Sequence, residues 1–128
     1  MFVEAAVPSP SPSPLPSDQR DQVVRALQHA ADTQRSTGLI LTADRHVDLA
    51  IEALLQNDAS QADRELAAAK AALDEAFRLA PEDLKPQITN ERFQIGRMRA
   101  DLEVNPRDLD QKLRRMRHRL LLLTRVQD

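Results

Sequence analysis

Apolar residues recur along this chain at intervals of three or four positions, the spacing of residues on one face of an α-helix. Between these stripes the positions are mostly charged or polar, as on the solvent-facing side of an amphipathic helix. We therefore predict an all-α protein. The stripes are Val23, Leu27, Ala30, Ala31 and Gln34; Val47, Ala50, Ile51, Leu54 and Leu55; Leu66, Ala69, Leu73, Ala76, Phe77 and Ala80; Leu84, Ile88, Ile95, Met98 and Leu102; and Leu109, Leu113, Met116, Leu120 and Leu123.

Residues that commonly begin or end helices lie between the stripes. The sequence leaves open whether the chain bends at Gly38 or continues there as one long helix. Pro81 ends the third stripe, and Gly96, inside the fourth, predicts a close helix crossing. The expected N-caps are Ser17 or Asp18, Thr42, Ser60 in a capping box with Asp63, and Asn105, followed by Pro106 at N1 and Asp108 in the first turn.

Short connections between these helices predict an antiparallel up-down bundle over residues 18–128. The bundle has four helices, or five if the chain breaks at Gly38. Residues 1–17 form a predicted disordered Pro-Ser leader, because alternating prolines in residues 8–17 favour an extended chain without backbone hydrogen bonds. Such a leader fits an exported, periplasmic protein and a cytoplasmic one about equally.

The composition excludes several kinds of site. Among the 128 residues there are no Cys, Tyr or Trp, three Phe and two Gly. Disulfides, thiolate metal sites and hairpin turns of the Asn-Gly kind are therefore ruled out. No apolar run exceeds four residues, the length of Leu120–Leu123, which is too short to span a membrane. No Gly-rich phosphate loop, Gly-x-Ser-x-Gly elbow or His-x-x-x-His pair occurs. We therefore expect no catalytic residue, cofactor or metal, and no small-molecule substrate.

A row of acidic residues follows the second stripe. Asp44, Asp48 and Glu52 are spaced four residues apart and share one helix face. A helical row of carboxylates lacks the surrounding oxygen ligands that a hard cation such as Ca²⁺ requires. We interpret this row as a solvated helix face.

The C-terminal helix is strongly basic. Residues 105–128 hold seven Lys or Arg and three Asp, a formal charge of 7 − 3 = +4. The charges could face solvent beside acidic helices, or bind an anionic surface. Four consecutive leucines, Leu120–Leu123, exceed one helix face, and we favour burial of both sides over an exposed apolar spot. The candidate interaction surface comprises Lys112, Arg114, Arg115, Arg117, Arg119, Leu121 and Leu122.

The stretch from Val47 to Pro81 resembles one tetratricopeptide-type helical hairpin. Ala69, Leu73 and Ala76 stand where that pattern has a small, a large apolar and a small residue. The first half departs from the pattern, with Asn57 in place of Gly and Ser60 in place of an aromatic residue, and no second repeat follows. The same stretch is similar to Ala-rich periplasmic stress proteins. Neither similarity assigns the chain to a family.

These observations favour a non-enzymatic helical protein-interaction module, such as an adaptor, a scaffold or a small chaperone-like protein. Its partner would be another protein or a second copy of the chain. The alternative is a binder of nucleic acid or of an anionic membrane surface through the basic C-terminal helix. The net charge of −2 and the absence of Tyr and Trp as stacking platforms argue against a dedicated nucleic-acid binder.

Overall fold

A computed structural model of the chain describes residues 17–126, and these residues form helices joined by short connections. The helices are α1 (Ser17–Leu55), α2 (Ala59–Leu79), α3 (Lys85–Val104) and α4 (Leu109–Val126), with a short 3₁₀ turn at Glu82–Leu84. Within the described range there is no β-strand. The predicted all-α class is confirmed. The predicted leader lies outside the described residues, apart from Ser17, which begins α1.

The chain divides after Ala30 into two compact units. In the first unit, residues 17–30 are helical and all exposed, so the first predicted stripe buries none of its residues there; Leu27, for example, is 67 % exposed. The second unit, from Ala31 onward, contains all the residues of the hydrophobic core.

The helix α1 continues through Gly38 without a break. The Thr42 hydroxyl Oγ1 donates a hydrogen bond to the Gly38 carbonyl oxygen, at 3.0 Å, one turn back within the same helix. The prediction that Thr42 caps a second helix is therefore wrong. Four α-helices, and not five, occupy the described residues.

The turn between α1 and α2 uses a different cap from the predicted one. Asn57 has a positive φ of 59°, and the Asp58 amide donates to the Ala53 carbonyl at 2.8 Å, which is the bonding of a Schellman-type helix end. The Asp58 carboxylate then accepts from the Gln61 amide at 3.0 Å. Asp58 is the N-cap of α2, and the predicted Ser60 capping box is wrong because Ser60 already lies inside the helix.

The connection between α3 and α4 also differs from the expectation. Asn105 ends α3, where its amide donates to the Asp101 carbonyl at 2.8 Å. Because α4 begins at Leu109, Pro106 precedes the helix instead of occupying its first position. Asp108 has a positive φ of 64°, and its carbonyl accepts from the Lys112 amide at 3.1 Å. The predicted N-cap at Asn105 is wrong, because Asn105 is the C-cap of α3 and α4 begins only at Leu109.

The core of the second unit follows the predicted stripes of α2, α3 and α4. Every stripe residue of these helices is buried, except Phe77, which is partly buried against the core. In α1, Val47, Ala50 and Ile51 are buried and Leu54 is partly buried. The prediction is wrong for Leu55, which is 63 % exposed at the end of the helix.

Gly96 does not mark a close helix crossing. It is exposed, and a Cβ built at this position meets no atom within 4 Å. The same holds for Gly38. The predicted crossing at Gly96 is wrong, because no neighbouring helix approaches this position closely.

We expect the α4 stripe to dominate stability. Replacing the fully buried Leu113 or Leu120 by Ala should each lower the free energy of unfolding by about 2–4 kcal/mol, because each change leaves a cavity. Leu122→Ala is the matched control, since Leu122 is 43 % exposed, and it should cost less than about 0.5 kcal/mol. Urea denaturation of the three variants measures the differences. Equal losses in all three would contradict the assigned core.

Both glycines should be replaceable with a gain in stability. Gly38→Ala and Gly96→Ala should each raise the free energy of unfolding by roughly 0.5–1 kcal/mol, because Ala has the higher helix propensity and meets no obstacle. Thermal denaturation followed by circular dichroism measures the change. A destabilised Gly38→Ala variant would show that α1 bends at this position in solution.

Candidate interaction surface

The buried stripe of α4 determines where its basic side chains point. Leu109, Leu113, Met116, Leu120 and Leu123 are all buried, so one face of the helix is turned to the core. Basic residues flank this stripe on both sides. Each flank then lies next to a different neighbouring helix, and the two flanks find different partners.

On one flank, Arg117 binds two carboxylates of α1. Its Nε and Nη2 atoms donate to the two oxygens of Asp44 at 2.9 and 3.2 Å, and Nη1 donates to Asp48 Oδ1 at 2.9 Å. The hydrogen bond to Asp44 raises the pKa of the Arg117 guanidinium above its ordinary value. Asp44 is only 8 % exposed. The expectation of a solvated acidic row is therefore wrong for Asp44, although Glu52 is exposed.

On the other flank, Arg119 and Lys112 meet acids of α3. Arg119 makes a two-pronged contact with Glu91, from Nε at 2.8 Å and from Nη2 at 3.0 Å. Glu91 is 3 % exposed, so Arg119 neutralises a buried charge. Lys112 Nζ lies 3.9 Å from Asp101 Oδ2, which is a looser contact.

A groove with a volume of about 440 Å³ runs between α3 and the flank of α4 that carries Lys112 and Arg119. Within residues 17–126, two of its cations, Arg97 and Arg115, have no acidic partner, and both are exposed. Four cations line the groove against a single carboxylate, that of Asp101. We name it the α3–α4 groove; its polar lining is Asn90, Gln94, Arg97, Asp101, Lys112, Arg115 and Arg119.

The groove adjoins an apolar hollow of about 590 Å³. Asn90 and Arg119 line both, and the hollow is also lined by Pro86, Gln87, Glu91, Leu122 and Leu123. We name this hollow the apolar end of the groove. A row of cations and an apolar recess therefore lie side by side along the same two helices.

The seven residues predicted as one interaction surface fall into separate places. Lys112, Arg115, Arg119 and Leu122 line the groove or its apolar end, and Arg117 faces α1. Arg114 and Leu121 are exposed and line neither.

The middle two of the four consecutive leucines are exposed. Leu120 and Leu123 are buried, whereas Leu121 and Leu122 are 36 % and 43 % exposed. Burial of the helix end on both sides was therefore a wrong expectation. The i and i+3 leucines share the core-facing side of α4, and the two between them are turned outward by the helical repeat.

Sequence reasoning missed the α3 side of the groove. Asn90, Gln94, Arg97 and Asp101 are spaced at i, i+4, i+7 and i+11, so they share one flank of α3. That periodicity is visible in the sequence. The sequence does not reveal which helix this flank faces, since that depends on how the helices pack.

Two other kinds of feature are absent from the described residues. Among them no group of three His, Cys, Asp or Glu side chains could hold a metal ion. No helix within residues 17–126 is long and apolar enough to cross a membrane.

Comparison of the chain with known protein families, with curated proteins and with solved structures found no match. These comparisons therefore add nothing to the resemblance of residues 47–81 to a helical hairpin.

Arg117 should be needed for stability, and Arg114 should not. Arg117→Met leaves the buried Asp44 carboxylate without its charged donor, which should lower the free energy of unfolding by about 1–3 kcal/mol. Arg114→Met removes an equal charge from an exposed position and should change it by less than about 0.5 kcal/mol. Urea denaturation at neutral pH compares them. Equal stability of the two variants would contradict a structural role for the Arg117 pair.

Proposed function

We propose that this protein is a non-enzymatic protein-interaction module that binds a partner in the α3–α4 groove. The observation that carries the proposal is the excess of cations over acids in a groove that continues into an apolar recess. Charged side chains without partners orient an approaching protein, and a recess at one end accepts an anchoring side chain. Adaptor, scaffold and small chaperone-like roles all use such a surface.

We also propose that the four helices form an antiparallel up-down bundle, which holds the groove rigid. The order of the ion pairs supports this arrangement, because later residues of one helix pair with earlier residues of the next. Between α3 and α4 the pairs are Glu91 with Arg119 and Asp101 with Lys112; between α2 and α3 they are Asp63 with Arg99 and Asp74 with Arg92. Antiparallel helices keep both walls of the groove in register along its length.

The second candidate function is binding to nucleic acid or to an anionic membrane surface. It is favoured by the exposed guanidinium groups of Arg97 and Arg115, because a guanidinium binds phosphate oxygens as well as carboxylates. Against it stands the pairing of Arg117 with Asp44 and of Arg119 with Glu91, which leaves fewer charges of α4 for a polyanion than the sequence suggests. We therefore place protein binding first.

Site-specific photo-crosslinking in cells of the native host tests the proposal. A photoreactive residue at Gln94, in the groove, should capture a protein partner. The same residue at Gln111, which is exposed on α4 outside the groove, is the control position. The captured protein, identified by mass spectrometry, should then bind the purified chain.

Charge variants make the test specific. Arg115→Glu should remove the adduct formed at Gln94, whereas Arg114→Glu, with the same charge change one residue away, should retain it. Adducts that survive Arg115→Glu, or that occur equally at Gln111, would overturn the groove as the binding site. Adducts that nuclease digests, or that extract as lipid, would favour the second candidate instead.

A further inference from the structure

We infer that the α3–α4 groove accepts an acidic amphipathic helix of a partner, with an apolar side chain in the recess at Leu122 and carboxylates on Arg97 and Arg115. This inference rests on the proposed function, because it takes the groove to be a site for protein. It adds the chemistry and the shape of the bound segment.

The charges of the groove call for carboxylates. Arg97 and Arg115 have no acidic partner within the described residues, and the 3.9 Å contact of Lys112 with Asp101 is loose enough to exchange. A guanidinium binds a carboxylate through two parallel hydrogen bonds, which are among the strongest in proteins. Glu or Asp side chains of a partner would therefore satisfy both arginines without disturbing Arg119, which already holds Glu91.

The dimensions of the groove fit a helix. At a rise of 1.5 Å per residue, the α3 wall from Pro86 to Asp101 is about 22 Å long, or roughly four helical turns. Both walls are α-helices, α3 and α4, and a third helix can lie between them with one side in the groove.

The distance between the apolar end and the cations of the α3–α4 groove specifies which residues of the partner helix make contact. Leu122 and Arg115 are seven residues apart on α4, which is about 10 Å along the helix axis. A partner helix lying along the groove must therefore place its anchor and its acids about two turns apart on one face. An i, i+7 pair of Leu and Glu has this separation.

Two features disfavour a continuous polyanion in the same place. A nucleic-acid strand carries one phosphate about every 3.4 Å, so phosphates bound along the groove would also meet the Asp101 carboxylate. The apolar end is a hollow between Pro86 and Leu122, and it suits an inserted side chain more than a hydrated backbone. A short acidic segment with an apolar anchor satisfies both halves of the groove.

Fluorescence anisotropy with a labelled 18-residue Ala-rich helical peptide tests the inference. The probe carries two Leu in its first two turns and three Glu on the same face in its last two turns. One control peptide has Lys in place of Glu, and a second has the same composition with Leu and Glu on opposite faces. The full chain should bind the probe at least about tenfold more tightly than either control, a difference of about 1.4 kcal/mol.

Matched variants of the full chain locate the binding. The double variant R97E/R115E should weaken binding of the probe at least about tenfold, because two attractive contacts become repulsive. R107E/R114E carries the same change in net charge at exposed positions outside the groove and should weaken it less than about threefold. Leu122→Gln should weaken it about fivefold with little dependence on salt. All these variants alter exposed side chains, and their circular dichroism should match that of the natural chain.

Equal affinity for the Glu and Lys probes, or equal losses in the two double variants, would overturn the inference. Vesicles of phosphatidylcholine with phosphatidylglycerol and a 16-base-pair DNA duplex are titrated in parallel. One outcome is that the vesicles or the DNA bind, that R97E/R115E weakens this binding, and that the peptide probe does not bind. The occupant is then an anionic surface, and the proposed function also fails. If the probe does not bind but the Gln94 adduct still depends on Arg115, the proposed function stands and the acidic helix is wrong.

Discussion

The packing of α4 depends on matching its arginines with carboxylates on two neighbouring helices. Its apolar stripe is narrow and has basic residues on both sides, so burying the stripe brings guanidinium groups against α1 and α3. A buried or half-buried charge is tolerated only when it is paired and hydrogen-bonded. Asp44 on α1 and Glu91 on α3 meet this requirement, and each receives two hydrogen bonds from one arginine.

The same matching leaves the α3–α4 groove positively charged. The buried acids that face α4 are already paired with Arg117 and Arg119, and only Asp101 remains in the groove, in loose contact with Lys112. Arg97 and Arg115 are therefore uncompensated within the described residues because of how the fold is held together. Some basic residues of α4 pair with buried acids and stabilise the fold, and others line the groove.

A second constraint is that α1 and α2 lie close together near Ser36 and Ala76. The Ser36 hydroxyl of α1 donates to the Ala76 carbonyl oxygen of α2 at 3.1 Å, and both residues are fully buried. A side chain as short as Ser reaches a backbone carbonyl of another helix only when the helices lie near each other. The core also contains small residues of α2 such as Ala69 and Ala72, together with the larger Leu, Ile and Met of α3 and α4.

The sequence alone determined the all-α class and the buried faces of α2, α3 and α4, because helical periodicity is a local property that each segment displays by itself. It determined the positions of helix ends less well. Asp58 and Ser60 are both acceptable caps by residue type, and the choice between them depends on how the preceding helix ends at Asn57.

Only the tertiary structure decided which cations are paired and which face solvent. Arg115, Arg117 and Arg119 have similar sequence surroundings, yet one lines the groove without an acidic partner, one binds α1 and one binds α3. The tertiary structure likewise decided that Leu55 and Leu122 are exposed, because no described residue covers these two side chains fully. The physical reason is that pairing and burial are properties of two surfaces in contact, and the periodicity of one helix carries no information about which helix lies beside it.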